Sequence, residues 1–191
     1  GVLLRGSDLF PGGSITLHGI RTFEKKPIDE AILNAASVLC SVDNSLTGIF
    51  RGMITNEKNL KPVESVTCEE GKGLSAWVDG GRVLIGNRLY MEQEGVTLPE
   101  QDYEDSHSKN GELQILYLAV SGNLHAMFVL RYVGGRNVAR SLASLQRENI
   151  RLLVTSKDPS LTARHITEAY HLPEGMVTVL DGEQCQAIEA A

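Results

Sequence analysis

Apolar residues recur along this chain with two different periods, and the switches between them divide it into thirds. Ile28, Ala31, Ile32, Ala35, Ala36, Val38 and Leu39 fall on one helical face, with Pro27 suited to a first helical turn. A second apolar set, Leu46, Ile49, Phe50 and Met53, follows the polar break Asp43-Asn44-Ser45, so two helices joined by a turn are predicted. The middle changes to period two. Val63 to Cys68, Leu74 to Val78 and Arg82 to Gly86 read as strands, with Asp79-Gly80-Gly81 as a hairpin turn. Leu113 to Val120 and Leu124 to Leu130 form a further strand pair around Ser121-Gly122-Asn123. The expectation for this region is a mostly antiparallel sheet with helices on one side.

The last third alternates again. Val138, Leu142 and Leu145 mark a helix, Ile150 to Val154 a strand, Leu161 to Tyr170 a helix and Met176 to Leu180 a strand. Helix and strand in alternation imply parallel pairing with crossovers. Near the start, the breaker cluster Pro11-Gly12-Gly13-Ser14 separates Val2-Leu3-Leu4 from the strand-like Ile15-Thr16-Leu17. The fold class expected is therefore α/β with an inserted α+β module, its first strand near residues 15–17.

Composition narrows the function classes. The chain has 191 residues, 42% of them hydrophobic, enough for a sizeable core. Its 18 basic residues are outnumbered by 24 acidic ones and form no run able to neutralise a phosphate backbone, so nucleic acid is not an expected partner. Cys40, Cys68 and Cys185 lie far apart and outside any CxxC pair, as expected of reduced thiols in a cytosolic protein. No stretch approaches the roughly 20 uninterrupted apolar residues of a membrane-spanning helix, and Gly1 to Phe10 is too short and polar for a signal peptide. The five histidines show no metal-ligand spacing and read as surface or packing residues. Trp77, between Ala76 and Val78 on a strand, reads as core; the acidic stretch from Glu92 to Asp105 reads as a solvated face.

Two segments stand out for chemistry. Glu69-Glu70-Gly71-Lys72-Gly73 lies between two strands, where glycines let a ligand approach the backbone, although a plain glycine turn reads the same way. Val83-Leu84-Ile85-Gly86-Asn87 ends a strand in a small residue and an amide, with Met91 four residues on. Their order and separation raise both above chance.

That combination, Glu70-Gly71-Lys72-Gly73 through Gly80 and then Arg82 to Asn87, resembles the GxG and GN segments of nucleotide-binding domains in heavy-metal-type P-type cation-transporting ATPases. Gly1-Val2-Leu3-Leu4-Arg5-Gly6 is similar to that family's segment leaving the membrane before the phosphorylation domain. Val154-Thr155-Ser156-Lys157-Asp158 with Thr162, Ala163 and Ile166 resembles its TGD segment and following helix. The resemblance covers nearly the whole chain. It implies an antiparallel-sheet nucleotide-binding domain at residues 23–130, inserted in an incomplete haloacid-dehalogenase-like (Rossmann-type) phosphorylation domain at 1–22 and 131–191.

It also implies ATP as ligand, with Mg²⁺ in the intact family, and as partners the remaining domains and membrane helices of a parent transporter, this portion facing the cytoplasm. The candidate nucleotide-binding residues are Asp43, Asn44, Glu70, Gly71, Lys72, Gly73, Gly86 and Asn87. Backbone amides of the glycine turn would meet the ligand, Lys72 would offset phosphate charge, and Asn87 would hydrogen-bond ribose or phosphate.

The departures from the family pattern fall on catalysis. Phe10 stands where the phosphorylated aspartate of DKTGT belongs, and Asp8 has no KTGT after it. Asn44 replaces the histidine of the adenine-binding His-Pro pair, and Asp43-Asn44-Ser45 reads equally as a helix cap. Ser156 replaces the glycine of TGD, Lys157 or Asp158 stands for its aspartate, and no GDGxND loop follows Leu180-Asp181-Gly182. No catalytic or metal-ligating residue is therefore assigned. Two functions are expected: the ATP-binding portion of a transporter, not catalytically competent as this chain, or a degenerate relative serving as a regulatory or interaction module.

Overall fold

The structure is a computed structural model that describes residues 1–11, 14–42, 44–156, 158 and 161–190. Two sheets organise it. Strands β1 (Val2–Arg5), β8 (Leu152–Thr155) and β9 (Val177–Val179) form a parallel sheet in the order β1-β8-β9. Between β1 and β8 the chain builds an antiparallel sheet from β2 (Ile15–Thr22), β3 (Glu64–Glu69), β4 (Gly73–Val78), β5 (Gly81–Gly86), β6 (Gln114–Val120) and β7 (Asn123–Tyr132), ordered β2-β7-β6-β5-β4-β3.

The turns follow local chemistry. Asp79 and Gly80 between β4 and β5, and Ser121 and Gly122 between β6 and β7, all take positive φ, as two-residue hairpin turns matched to strand twist require. The expected first strand near 15–17 is corrected by this topology. Ile15 pairs with Tyr132 in the antiparallel sheet, whereas Val2–Arg5 enters the parallel one. The Val2-Leu3-Leu4 run was short enough to read as a lead-in, and only its pairing with Leu152 to Thr155 makes it a strand.

Helices α2 (Ile28–Cys40) and α3 (Thr47–Gly52) cover one face of the large sheet, meeting Leu74, Ala76, Val78, Val83, Ile85, Leu116, Leu118, Phe128 and Leu130. The opposite face is also covered, which corrects the expectation of helices on one side. Leu84, Ile115, Tyr117, Met127 and Val129 pack there with Tyr90 and Met91 of α4 (Arg88–Gln93) and with Tyr103 of α5 (Gln101–His107). The continuous apolar run of β6 fits a strand buried on both faces. Asp102 of the acidic stretch is on the outer surface of α5, whereas Glu104 turns inward to Arg88 and the Tyr117 hydroxyl. Trp77 is also corrected: it belongs to neither apolar cluster and is 47% exposed.

The two sheets share one core. Leu142 of α6 (Arg136–Arg147), Leu152, Val154, and Ile166 and Tyr170 of α7 (Ala163–Tyr170) join the α2–α3 face in a single apolar cluster. Phe10, directly after α1 (Gly6–Leu9), sits at the seam, its ring centroid 5.2 Å from Tyr132 and 5.6 Å from Tyr170. Helix α8 (Gly182–Ala190) follows β9. Among the described residues, no helix is long and apolar enough to cross a membrane.

Candidate functional site

In open parallel sheets ligands collect beyond the carboxyl ends of the strands. Here those ends are Arg5 and Thr155, and beyond them lies a cleft of about 300 Å³ lined by Arg5, Gly6, Ser7, Asn44, Ser45, Glu70, Thr155, Ser156, Cys185 and Glu189. Residues from both sheets therefore meet at one place. The residue at the tip of β1 is Gly6, and a Cβ there would come within 2.6 Å of Leu161 Cδ2 and 2.8 Å of Ser156 Oγ. Phe10 is 1% exposed in the seam, whereas Gly6 lines the cleft, where an added Cβ would press on the ends of the Leu161 and Ser156 side chains. Asp8 does not supply the missing carboxylate. It accepts bonds from Arg5 Nη2 and from the Arg5 amide, both at 3.1 Å, and the guanidinium bond holds its pKa below the usual carboxylate range.

The glycine turn forms the opposite wall. Glu70 to Lys72 join β3 to β4, with Lys72 N donating to Glu69 O at 3.0 Å and Gly71 at φ +75 in open space. At this position the glycine meets a left-handed conformation that other residues resist. Gly73 pairs with Gly86 across β4 and β5, which brings the two motifs together as their order suggested. Their small size serves a neighbour: a Cβ on Gly73 would lie 2.3 Å from the Tyr90 ring, and one on Gly86 2.6 Å from both Tyr90 and the Lys72 carbonyl. Buried Tyr90 thus fills the space the glycines leave.

Asn87 ties the motifs more firmly. Its Oδ1 accepts from Tyr90 N at 2.9 Å, capping α4, while its Nδ2 donates to the Gly71 carbonyl at 2.8 Å. Both ends of the amide are engaged, so Asn87 fixes the shape of the turn. Lys72 Nζ donates to Gln93 Oε1 at 3.1 Å, and Gln93 in turn donates to Glu69. Glu70 accepts from Cys185 Sγ at 2.8 Å.

Asn44 is built into its loop. Its Nδ2 donates to the carbonyls of Leu39 and Val42, and its Oδ1 accepts from Leu46 N at 2.8 Å, which closes a turn ahead of α3; the cap position is Leu46, so the expected capping role is corrected to a turn-forming one. Asp43, with Gly12, Gly13 and Lys157, lies outside the described residues. Asp158 is 1% exposed and accepts from Ser45 Oγ at 2.9 Å and from the Tyr132 hydroxyl, while its amide donates to Ser156 Oγ. It joins the loop before α3 to the loop after β8. Sequence reasoning missed Gly6, Ser45 and Cys185; none carries a local signal, because each matters through a partner distant in the chain.

A larger cavity of about 560 Å³ lies between α5 and α7, beside Arg88, Glu104, Arg164 and His165. Its charges satisfy one another: Arg88 binds Glu104 and Glu92, and Arg164 binds Glu168. Of the singled-out residues, Asn44 and Glu70 line the smaller cleft and Asn87 the larger; the smaller, at the strand ends beside the glycine turn, is taken as the candidate site.

Comparison with known proteins places the architecture first. The chain shares the fold of P-type ATPase nucleotide-binding domains. It covers 99% of the N-domain of a copper-transporting P-type ATPase at a TM-score of 0.51 and 19% identity, using 62% of its own length. The catalytic domain of a CPx-ATPase aligns over 98% of this chain and 64% of its own, at a TM-score of 0.56 and 13% identity. A zinc-transporting PIB-type ATPase aligns over 99% of this chain and 31% of its own, at 0.53 and 16%.

The sequence relatives are heavy-metal exporters. A silver-exporting P-type ATPase of Salmonella typhimurium is 27% identical over 126 residues, 62% of this chain and 15% of that protein. A copper-exporting P-type ATPase of Staphylococcus saprophyticus is 23% identical over 187 residues, 95% of this chain and 21% of that protein. No protein-family model matches. A nucleotide-binding-domain fragment of a heavy-metal P-type ATPase fits fold and sequence together, as the GKG and IGN segments implied. The chain spans about a fifth or less of the length of these relatives.

Proposed function

We propose that this chain is the ATP-binding portion of a heavy-metal P-type cation-transporting ATPase, flanked by pieces of a haloacid-dehalogenase-like phosphorylation domain. The observation that carries this reading is the Gly73–Gly86 pairing, with Asn87 holding the Gly71 carbonyl, on a turn whose Glu70 borders the strand-end cleft and whose Lys72 borders the cavity beside it. The amides of Gly71, Lys72 and Gly73 would receive phosphate oxygens, and Lys72 would exchange Gln93 for ligand charge. Asn87 acts by positioning the turn. Glu70 and Asn44 border the ligand's path, as the cleft lining suggests. The partners of this portion would be the other domains and the membrane helices of a transporter, on its cytoplasmic side.

This chain by itself does not complete phosphoryl transfer. That reaction needs an aligned nucleophile and neutralisation of developing charge. Gly6 offers no nucleophile, and a side chain there would have to displace the ends of Leu161 and Ser156. Among the described residues no three His, Cys, Asp or Glu side chains are grouped to hold a metal ion, and no step is routed through one. The crowded Gly6 and the fully engaged Asn44 amide favour a second reading, a non-catalytic relative that keeps the fold as an interaction module.

Titration with a non-hydrolysable ATP analogue, followed by amide NMR, separates the two. Saturable shifts at Gly71, Lys72, Gly73 and Asn87 are expected. Their absence at millimolar ligand overturns the nucleotide reading and leaves the interaction module.

A further inference from the structure

Resting on the nucleotide reading above, we infer that α8 is an autoinhibitory strap, docked over the glycine turn by the Cys185–Glu70 bond and displaced when a nucleotide binds. The helix starts firmly, since Gln184 N donates to Asp181 Oδ1 at 2.8 Å and Asp181 N donates to Gln184 Oε1 at 3.0 Å, a reciprocal cap. One turn on, Cys185 is 7% exposed with its Sγ 2.8 Å from Glu70 Oε2, a contact between residues 115 positions apart.

The helix separates two cavities that both touch the turn. On one side Asp181, Gly182, Glu183 and Gln186 face Cys68, Glu69, Glu70 and Lys72 across about 520 Å³. On the other, Cys185 and Glu189 wall the strand-end cleft opposite Ser45, Thr155 and Ser156. A polyphosphate running from the glycine turn toward the ends of β1 and β8 would have to pass through α8.

Charge reinforces the block. Asp181, Glu183 and Glu189 from the strap add to Glu69 and Glu70 from the turn, against Lys72 and Arg5. At physiological salt, screening begins only beyond about 8 Å, so carboxylates lining the same cavity repel an entering phosphate. The latch is a thiol donating to a carboxylate. Burial, with Glu70 beside it, pushes the Cys185 thiol up to about 12, so it stays protonated and able to donate at neutral pH.

Mutual exclusion makes the test reciprocal, because each event must oppose the other by the same factor. In the full chain, Cys185→Asp sets a second carboxylate against Glu70, and the non-hydrolysable analogue should bind about tenfold more tightly. In the unmutated chain, saturating analogue should speed iodoacetamide labelling of Cys185, resolved by peptide mass spectrometry, several-fold. Should Cys185→Asp fail to fold, the double variant Glu183→Gln/Glu189→Gln keeps the bond and removes two charges, with about threefold tightening expected.

Analogue binding of equal affinity in wild type and variant, or slower labelling of Cys185 in its presence, overturns the strap and leaves the nucleotide reading intact. Failure of wild type and every variant to bind the analogue overturns both.

Discussion

The two sheets of this molecule solve burial differently. The antiparallel sheet is covered on both faces at its centre, so Leu116, Tyr117, Leu118 and Ala119 are all inaccessible in sequence. The parallel sheet has three short strands, and Leu3 of β1 remains 51% exposed at its edge. It relies on the larger unit through Phe10, Tyr132, Tyr170 and Asp158. The candidate site lies between them: the glycine turn belongs to the self-sufficient sheet, and the strand ends to the dependent one. The turn can therefore keep its shape while the other half of the site is lost.

The sharpest way to break this contrast is inside the rigid half. Gly73→Ala forces a Cβ against the Tyr90 ring at 2.3 Å and the Ile85 carbonyl at 2.5 Å, and should cost about 3 kcal/mol in urea unfolding. Gly71→Ala has open space but a φ of +75, and should cost about 1 kcal/mol. Equal costs would mean that Tyr90 does not fill the gap between the strands.

Asp158→Ala attacks the connection between the sheets, leaving the Ser45 and Tyr132 hydroxyls with fewer partners while its backbone amide still donates to Ser156 Oγ. About 2 kcal/mol should be lost, with amide exchange rising in β8 before β6. Uniform acceleration in both strands would show that the two sheets open as one. Asn87→Ala removes a cap and the tie to Gly71, costing about 1.5 kcal/mol; analogue affinity should fall with it because the turn loses its shape.

Acid gives a milder probe. His125 and His165 both have pKa values lowered by burial from 6.5, so the unfolded chain binds protons more readily than the folded one. Their contribution is complete above pH 6.5 and is lost as pH falls below it, so the thermal midpoint should drop between pH 6.5 and 5. A midpoint unchanged over that window would contradict their burial. The smallest effect should be a gain: Gln114 is 7% exposed with its Nε2 lacking a hydrogen-bond partner among the described residues, and Gln114→Met should add up to about 1 kcal/mol.

Much of the larger sheet was legible because its signals are local. Period-two segments and the Asp79-Gly80 and Ser121-Gly122 turns fixed β4 to β7 and their hairpins, and a hairpin leaves little choice of register. The Gly73–Gly86 pairing is a consequence of that register. The second covered face was not legible: Tyr90, Met91 and Tyr103 lie on short helices whose periodicity is only two turns long. Trp77 alternates like a core residue, and only the fold shows it to be 47% exposed.

What the chain decides by itself, then, is the set of strands, the turns between near neighbours and the motifs they present, because hydrogen-bond pattern and hydrophobic period act over a few residues. What only the tertiary structure decides is what those motifs touch. Gly6 faces Ser156 and Leu161, Ser45 reaches Asp158 across 113 positions and Cys185 reaches Glu70 across 115. Such contacts form when two separately patterned faces bury each other, and no short-range propensity encodes which polar atoms are then left opposite one another.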